Sequence, residues 1–263
     1  MLSDLIEVSK FAARHPDWVQ GGGGNCSVKL NGQMWIKASG YFLEEVSRDG
    51  GYAVLEMASG KVIDPRGPKP SLEAPLHSLL GTYVIHTHPI PVVALVSSFE
   101  GAENFRKIFP ENHFHWVEYA APGRALYETV RRMLDGKNQS SLGLFLQNHG
   151  LFVSAQKKEE AFALHLEIIS RLEKFFGAES ALDAIMAQHF LTPDHAVYGC
   201  AEDGKGMTQK QMKAREETLF LVGSALAHIR KKGWRARWLD PEEVAKITEM
   251  EEEKYRKSLW GKA

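Results

Sequence analysis

Two histidines alternate along the short apolar segment YVIHTHP at 83–89, and this pattern constrains the fold more than any other feature of the chain. Residues i and i+2 of a β-strand point to the same face, so a strand over 82–87 would direct His86 and His88 toward one point. A third histidine, His149, follows in the segment QNHG at 147–150. Three imidazoles are a known ligand set for a catalytic Zn²⁺ with an open coordination position. The sequence therefore predicts a metal centre with Zn²⁺ as the expected ion, although Mn²⁺, Co²⁺ or Fe²⁺ would also accept these ligands.

A second His-x-His pair, His113 and His115, tests how specific that pattern is. No Asn-His-Gly segment follows it in the way that one follows the first pair, and it stands beside Trp116. An isolated His-x-His pair is more often an ordinary pair of strand residues than a metal site. We therefore interpret this second pair as part of a core or an interface.

Glu73 precedes the histidines in the segment PSLE at 70–73, close to the start of a predicted helix. A carboxylate at such a position is commonly there because the helix dipole favours it. Beside a divalent cation it could instead act as the base that removes a proton from a substrate. Because three candidate metal-binding histidines occur in the same chain, we favour the catalytic interpretation of Glu73.

A glycine-rich turn at 21–27 (GGGGNCS) is followed by hydrogen-bonding side chains. A glycine run alone is weak evidence for binding, but backbone N–H groups in such turns can form a nest for an anion. With Ser39, Gly40 and Ser71, this turn could hold a phosphate or a carboxylate. Lys29 and Lys37 lie nearby, although lysines on strands are usually solvated edge residues.

Bulk composition excludes several classes of function. The net charge of −1 over 263 residues gives no general attraction to nucleic acid or to an anionic membrane. No apolar run reaches the roughly 18 residues needed to cross a bilayer, and the N-terminus does not resemble a signal peptide. Two cysteines without a paired spacing fit a reducing compartment. We therefore expect a cytoplasmic protein that acts on a small molecule.

Hydrophobic periodicity predicts an α/β chain. Helices are expected at 3–14, 71–80, 90–98, 101–109, 123–135 and 157–176, and strands at 28–30, 34–36, 52–57, 82–87 and 115–119, with a hairpin over 143–155. Beyond the segment LTPDH at 191–195, long charged helices are expected at 207–231 and 240–258. We predict one domain over residues 1–200 and a helical C-terminal extension over 201–263 that packs on the same domain or on a neighbouring subunit.

Taken together, these residues resemble the class II aldolase/adducin family, which includes the zinc-dependent fuculose-phosphate and rhamnulose-phosphate aldolases. The resemblance runs through most of residues 1–200 and extends to the aldolase part of bifunctional aldolase/short-chain dehydrogenases. Tyr119, which precedes Pro122-Gly123, resembles a tyrosine that reaches the active site of an adjacent subunit. The other matching motifs are the phosphate loop Gly24-Asn25-Cys26-Ser27, the second phosphate turn Ala38-Ser39-Gly40, the acid segment Pro70-Ser71-Leu72-Glu73, and the zinc ligands His86, His88 and His149.

The resemblance implies a three-layer α/β/α fold with a mainly antiparallel central sheet, and a homotetramer with its sites at subunit interfaces. It also implies one Zn²⁺ per subunit and a phosphorylated keto-sugar that is cleaved to dihydroxyacetone phosphate and an aldehyde through a zinc-stabilised enediolate. Glu73 and Tyr119 would be catalytic. The residues implied to bind the substrate phosphate are Gly24, Asn25, Ser27, Lys29, Ser39, Gly40 and Ser71.

Three alternatives stay open within the same family. The same constellation serves sugar-phosphate epimerases and a dehydratase of methylthioribulose phosphate, and an adducin-like scaffold would keep the fold without catalysis. The presence of all three histidines and Glu73 favours an enzyme. Two departures bear on the substrate: Leu72 stands where the simple aldolases have a second serine, and Lys29 and Lys37 add positive charge where small hydroxyl residues are usual.

Overall fold

A seven-stranded sheet forms the centre of the molecule in the order β3-β2-β1-β4-β7-β6-β5. The structure is a computed structural model, and it describes residues 1–136, 139–177, 189–199 and 207–260. Every neighbouring pair of strands is antiparallel except β5 and β6, which run parallel. The predicted mainly antiparallel α/β fold is thus confirmed. The strands are β1 Asn25–Leu30, β2 Gln33–Lys37, β3 Tyr52–Glu56, β4 Tyr83–Thr87, β5 Phe114–Val117, β6 Ser141–Leu146 and β7 Gly150–Ala155.

Two tight turns set the register of the hairpins β1–β2 and β6–β7. Asn31 (φ 52°) and Gly32 (φ 73°) both have positive φ, as the two-residue turn between β1 and β2 requires. In the turn between β6 and β7, Asn148 adopts φ 53° immediately before His149. Both hairpins lie where the Asn-Gly and Asn-His-Gly segments predicted them.

Helices cover both faces of the sheet, which gives three layers. On one face, Ile85 and Val153 join a core with residues of α1, α3, α6 and α8; on the other, Val84 and Phe152 pack with residues of α2 and α5. The alternation along each strand is the period of two that separates the faces of a sheet. The helices are α1 Leu2–Ala13, α2 Ala74–Ser78, α3 Ile90–Val96, α4 Gly101–Ile108, α5 Arg124–Leu134, α6 Lys158–Phe176, α7 Pro193–Tyr198, α8 Gln209–Lys231, α9 Pro241–Glu249 and α10 Glu251–Trp260.

Helical boundaries differ from the predicted ones at three places. α2 begins at Ala74 rather than at residue 71, because Pro75 lacks an N–H group and belongs to a first helical turn. The helix predicted over 240–258 is divided into α9 and α10 at Met250, whose ψ of 133° is extended. The short helix α7 was not predicted. The proposed domain boundary between residues 200 and 201 lies outside the described residues.

The C-terminal helices pack onto the α/β core. Leu221 and Val222 of α8 join the same core as Val92 and Val93 of α3. A separate apolar cluster unites Phe42 with residues of α7, α8, α9 and α10. Within the described residues, none of the helices has the length and apolar character that a membrane crossing would need.

Candidate functional site

The three predicted histidines meet at one end of the central strands. His86 lies in β4, His88 directly follows that strand, and His149 lies in the turn that leads into the neighbouring strand β7. All three are buried, and one ring nitrogen from each lies within 4.8 Å of the others. The Nε2 atoms of His86 and His88 are 3.1 Å apart. The prediction that β4 and the hairpin after it would bring these imidazoles together therefore agrees with their placement.

The spacing and the protonation of this cluster suit a divalent metal. Ligand nitrogens on a tetrahedral Zn²⁺ at 2.0–2.1 Å lie about 3.3 Å from one another, which is comparable with the separation of His86 and His88. The Nδ1 atom of His86 lies 2.9 Å from the carbonyl oxygen of Leu151, so that Nε2 is directed to the cluster. Burial, reinforced by His88 and His149, holds the pKa of His86 well below its usual range. A neutral imidazole with a free Nε2 lone pair is the form that binds metal.

Glu73 lies against the histidine cluster at the start of α2. Its Oε2 atom is 3.3 Å from Nε2 of His86, and its Oε1 atom is 3.5 Å from Nε2 of His149. The side-chain amide of Asn25 donates to Oε2 at 2.8 Å. Asn25 is in register with His86 across β1 and β4, so the sheet itself places this amide beside the carboxylate. The arrangement holds a carboxylate directly beside the histidine cluster.

A buried chain of hydrogen bonds supports Asn25 from behind. Oδ1 of Asn25 is hydrogen-bonded to Nε2 of His77, and Nδ1 of His77 lies 2.7 Å from Oγ of Ser27. Burial, followed by the charge of Lys29, holds the pKa of His77 well below its usual range. A neutral His77 can donate to one neighbour and accept from the other. Ser27, His77 and Asn25 thus form a fixed path that ends on Glu73.

A cavity of about 40 Å³ lies beside the histidine cluster and Glu73. Its walls come from the glycine-rich turn, from the turn after β2, from the acid segment and from the C-terminal helices. The lining residues are Gly22, Gly23, Gly24, Asn25, Lys37, Ser39, Gly40, Ser71, Leu72, Glu73, His86, His88, Pro122, His149, Pro193, Asp194 and Glu253. All of the predicted site residues line it except Ser27, Lys29 and Tyr119.

Glycines are required where the glycine-rich turn approaches His86 and His88. Gly24 has φ 66°, and a Cβ atom there would lie 2.7 Å from the carbonyl oxygen of His86. A Cβ atom on Gly23 would lie 2.9 Å from Nδ1 of His88. A bulkier residue at either position would displace the turn from the histidines. The glycine run is therefore a packing requirement of the site.

Two lysines near the cavity have different surroundings. Lys37 lines it, and its Nζ atom donates to the carbonyl oxygens of Gly22 (3.3 Å) and Tyr41 (2.5 Å). Lys29 points away, and its Nζ atom donates to the carbonyl oxygen of Gly81 at 2.7 Å. Burial lowers the pKa of Lys29 to about 7. Lys37 is thus the lysine that can place positive charge at the cavity wall.

Tyr119 and Cys26 lie outside the cavity. Tyr119 is half-buried and packs against the apolar cluster of the C-terminal helices. Burial, and then the nearby carboxylate of Glu243, raises the pKa of its hydroxyl. Cys26 is fully buried, and burial raises the pKa of its thiol to about 12, so it has no nucleophilic character at neutral pH. The role of Tyr119 at an adjacent subunit stays a prediction.

Three residues of the site were not predicted as functional: His77, Asp194 and Glu253. His77 lies four residues after Glu73, a spacing that a short helix would place on one face. Asp194 belongs to the LTPDH segment, which the sequence shows without indicating what it contacts. The residues around Glu253 are mostly charged and give no sign that it is buried, yet it is only 4% exposed.

Comparisons with known proteins agree with this geometry. Residues 3–173 match the family described as the Class II Aldolase and Adducin N-terminal domain. The chain is similar to the N-terminal class II aldolase domain of a conserved protein from Thermoplasma acidophilum, with 24% identity, a TM-score of 0.58, and coverage of 67% of this chain and 93% of that one. An L-fuculose 1-phosphate aldolase matches with 23% identity, a TM-score of 0.52, and coverage of 67% and 87%.

A sugar-phosphate aldolase from Thermotoga maritima matches with 20% identity, a TM-score of 0.52, and coverage of 66% of this chain and 90% of that one. At these identities the structures demonstrate a shared fold. No curated protein matches the chain significantly. The family match spans well over half of the chain and includes Glu73 and all three histidines, which confirms the resemblance seen in the motifs. This protein belongs to the class II aldolase and adducin family.

Proposed function

We propose that this protein is a zinc-dependent aldolase that cleaves a phosphorylated keto-sugar into dihydroxyacetone phosphate and an aldehyde. The observation that carries the proposal is the meeting of three buried imidazoles with Glu73 at one end of a cavity. The other end of the cavity supplies hydroxyl and backbone groups and Lys37. Metal ligands, an acid–base group and an anion pocket are what aldol cleavage of a ketose phosphate requires.

The substrate phosphate is assigned to the end of the cavity formed by Gly24, Ser39, Gly40, Ser71 and Lys37. Backbone N–H groups in glycine-rich turns and a nearby ammonium group are suited to a phosphate. Ser27 and Lys29, which lie behind the wall, would act by holding that wall in place. Fixing the phosphate would orient the reacting carbons toward the histidine cluster and so reduce the entropic cost of reaching the transition state.

Glu73 is assigned the proton transfer at the carbon that carries negative charge when the carbon–carbon bond breaks. A bound divalent metal would supply Lewis acidity toward the ketose oxygens. Glu73, after taking up a proton from solvent, would pass it to the carbon that loses its bond, and the amide of Asn25 would hold the carboxyl group in the orientation that this transfer needs. Proton transfer by a positioned side chain contributes roughly 10²–10⁴-fold to rate.

Tyr119 is proposed to serve the aldehyde half of the substrate in an adjacent subunit of a homotetramer. Its raised pKa keeps the hydroxyl protonated at neutral pH, so in the direction of condensation it can donate to the aldehyde oxygen. In cleavage, the proton of the sugar hydroxyl would pass through the same hydroxyl to solvent as the aldehyde forms. In the single chain, α9 lies over this tyrosine with Glu243 beside the ring. The proposal therefore requires that assembly expose the hydroxyl of Tyr119 to the neighbouring site.

The decisive variant is Glu73→Gln, which keeps the size of the side chain and removes its acid–base function. We expect it to retain bound zinc and to lose cleavage by about 10²–10⁴-fold. Metal content and the rate of aldehyde release are the two measurements. Glu103→Gln, an exposed glutamate on α4, is the matched control and should behave as wild type. Full activity of Glu73→Gln would remove this residue from the mechanism.

The substrate class is tested separately by incubating the protein with ketose phosphates and weighing the products by mass spectrometry. Two fragments would support aldol cleavage. An isomer of unchanged mass would assign epimerisation in its place, and loss of water would assign dehydration. A protein that neither contains nor takes up a divalent ion would be better described as an adducin-like scaffold.

A further inference from the structure

Asp194 lies on α7, beyond the residues 3–173 that match the family, and yet it lines the cavity beside the metal cluster. Thr192 caps this helix by accepting from the backbone N–H of His195 at 3.2 Å, which places Asp194 in the first turn. The carboxylate is only 12% exposed. This segment therefore brings an additional acidic group to the site.

The turn that carries a metal ligand also holds the segment that carries Asp194. The side-chain amide of Asn148, the residue before His149, donates to the carbonyl oxygen of Leu191 at 2.9 Å and to that of Arg237 at 2.6 Å. Asn148 is buried, so these bonds are formed away from water. The position of α7 is thus tied directly to the β6–β7 turn.

Asp194 contacts the far side of one metal ligand. Its Oδ2 atom lies 3.3 Å from Nδ1 of His88, whose Nε2 atom faces His86 at 3.1 Å. A histidine that presents Nε2 to a metal carries its proton on Nδ1, and that proton needs an acceptor. Gly23 closes the space around this contact, because a Cβ atom there would lie 2.5 Å from Oδ2 of Asp194.

The three ligands are therefore not supported alike. For His86, the acceptor beside Nδ1 is the backbone carbonyl of Leu151, whereas for His88 it is a carboxylate. A charged acceptor makes a stronger hydrogen bond than a neutral one and raises the basicity of the imidazole. The donor strength of His88 thus depends on a side chain, whereas that of His86 depends on the backbone.

We propose that Asp194 is a positioning residue of the metal centre: its carboxylate accepts the Nδ1 proton of His88, fixes the ring with Nε2 toward the ion, and so gives the segment beyond the family domain control over metal affinity. The inference rests on the proposed metal-dependent function. It concerns the strength of metal binding and does not assign Asp194 a step in the reaction.

Metal affinity measured with Co²⁺ tests this without any substrate. Apo protein is titrated with Co²⁺ against a competing chelator, and the visible absorption of the bound ion is recorded. We expect Asp194→Ala to bind Co²⁺ about 10–100-fold more weakly and to show an altered absorption band. Asp194→Asn keeps an oxygen that can accept the Nδ1 proton, so its loss of affinity should be smaller. Asp49→Ala removes an exposed aspartate and should match wild type.

Wild-type affinity and an unchanged spectrum in Asp194→Ala would overturn the inference. If that variant does not fold, Asp194→Asn decides in its place, and affinity equal to wild type would count against a charged acceptor. Wild-type protein that binds no divalent ion would overturn both this inference and the proposed function. Protein that binds Co²⁺ with the expected Asp194 dependence but cleaves no ketose phosphate would support this inference and refute the aldolase assignment.

Discussion

The family domain and the C-terminal segment build opposite walls of one cavity, and they do so in different ways. The domain supplies the histidines and Glu73 from strands and turns that are fixed by short-range pattern. The C-terminal segment supplies Asp194 from α7, which was not predicted, and Glu253 from α10, whose charged pattern indicates a solvated helix. The histidines and Glu73 could therefore be recognised from sequence. The wall that Asp194 and Glu253 form, which covers the cavity, depends on how helices distant in sequence pack.

The largest expected effect is the loss of the metal on replacing a ligand. His86→Ala should bind Zn²⁺ more weakly by well over the roughly 10–100-fold expected for partners behind the ligands, and activity should fall with it. The ion would lose an inward-facing nitrogen donor at the centre of the cluster. Metal analysis after gel filtration and chelator titration measure the change.

His115→Ala is the matched control, because it removes a histidine from the other His-x-His pair. That residue lies on the edge strand β5, where its Nε2 atom is 2.8 Å from the side-chain oxygen of Gln139. We expect wild-type metal content in this variant. Equal metal loss in the two variants would mean that the cluster of His86, His88 and His149 is not the binding site.

The second prediction concerns the buried path behind Glu73. His77→Phe keeps a ring of similar shape but removes both of its hydrogen-bonding nitrogens, which leaves Asn25 without its support. Since one hydrogen bond contributes about 1 kcal/mol, we expect kcat to fall roughly fivefold while bound metal is unchanged. Steady-state kinetics and metal content separate the two effects.

His77→Gln restores an amide that can bond to its neighbours and should recover part of the lost rate. A His77→Phe variant with wild-type kcat would show that Asn25 and Glu73 do not depend on this path. Loss of metal together with rate would instead assign His77 to the structure of the metal cluster.

The sequence predicted the domain well because its features are local. The Asn-Gly turn after β1, the alternation through β4 and the Asn-His-Gly turn before β7 each determine a register within a few residues. Backbone geometry at Asn31 and Asn148 is as those turns require. These motifs place His86 and His88 on one face of a strand and His149 in a turn, and the pairing of β4 with β7 brings the three together from more than 60 positions apart.

The cover of the cavity could not be predicted in the same way. α10 is rich in charge, and its pattern indicates a solvated helix, but the indole N–H of Trp260 donates to the carbonyl oxygen of Gly40 at 2.6 Å. Leu259 packs against the same glycine. These contacts join residues more than 200 positions apart, so only the tertiary fold reveals that Glu253 is buried.

The third prediction tests this cover. α10 covers part of the proposed anion pocket, because Glu253 lines the cavity together with Ser39, Gly40 and Ser71. The buried carboxylate of Glu253 would repel a phosphate there. We expect Glu253→Gln to bind inorganic phosphate about tenfold more tightly, an effect typical of removing one nearby like charge. Calorimetric titration with phosphate measures it.

Glu252→Gln is the matched control, since it removes a neighbouring exposed charge from the same helix. Its phosphate affinity should change far less, because exposed charges are screened by solvent and salt. Equal affinity in wild type and Glu253→Gln would show that the phosphate binds elsewhere. In that case the anion pocket assigned to Ser39, Gly40 and Ser71 would be wrong.

The smallest expected effect is on the pH dependence of stability. The family domain and the C-terminal segment each contain a buried histidine that should contribute to it. Burial lowers the pKa of His165, in α6, to about 3 and that of His195, in α7, to about 4. Because the folded pKa lies below the value of about 6.5 in the unfolded chain, unfolded protein binds more protons between these values. The free energy of unfolding should therefore rise with pH between the folded and the unfolded pKa and reach its full value above about 6.5.

Removing either histidine should flatten this dependence. Between about pH 5.5 and pH 7, each neutral buried histidine accounts for about 1 kcal/mol of the change in unfolding free energy. Urea unfolding of His165→Gln and His195→Gln with a chelator present should show that reduction in both variants. If His195→Gln alone keeps the wild-type dependence, α7 unfolds separately from the domain. Asp194 would then have to be held at His88 by metal binding and not by the fold.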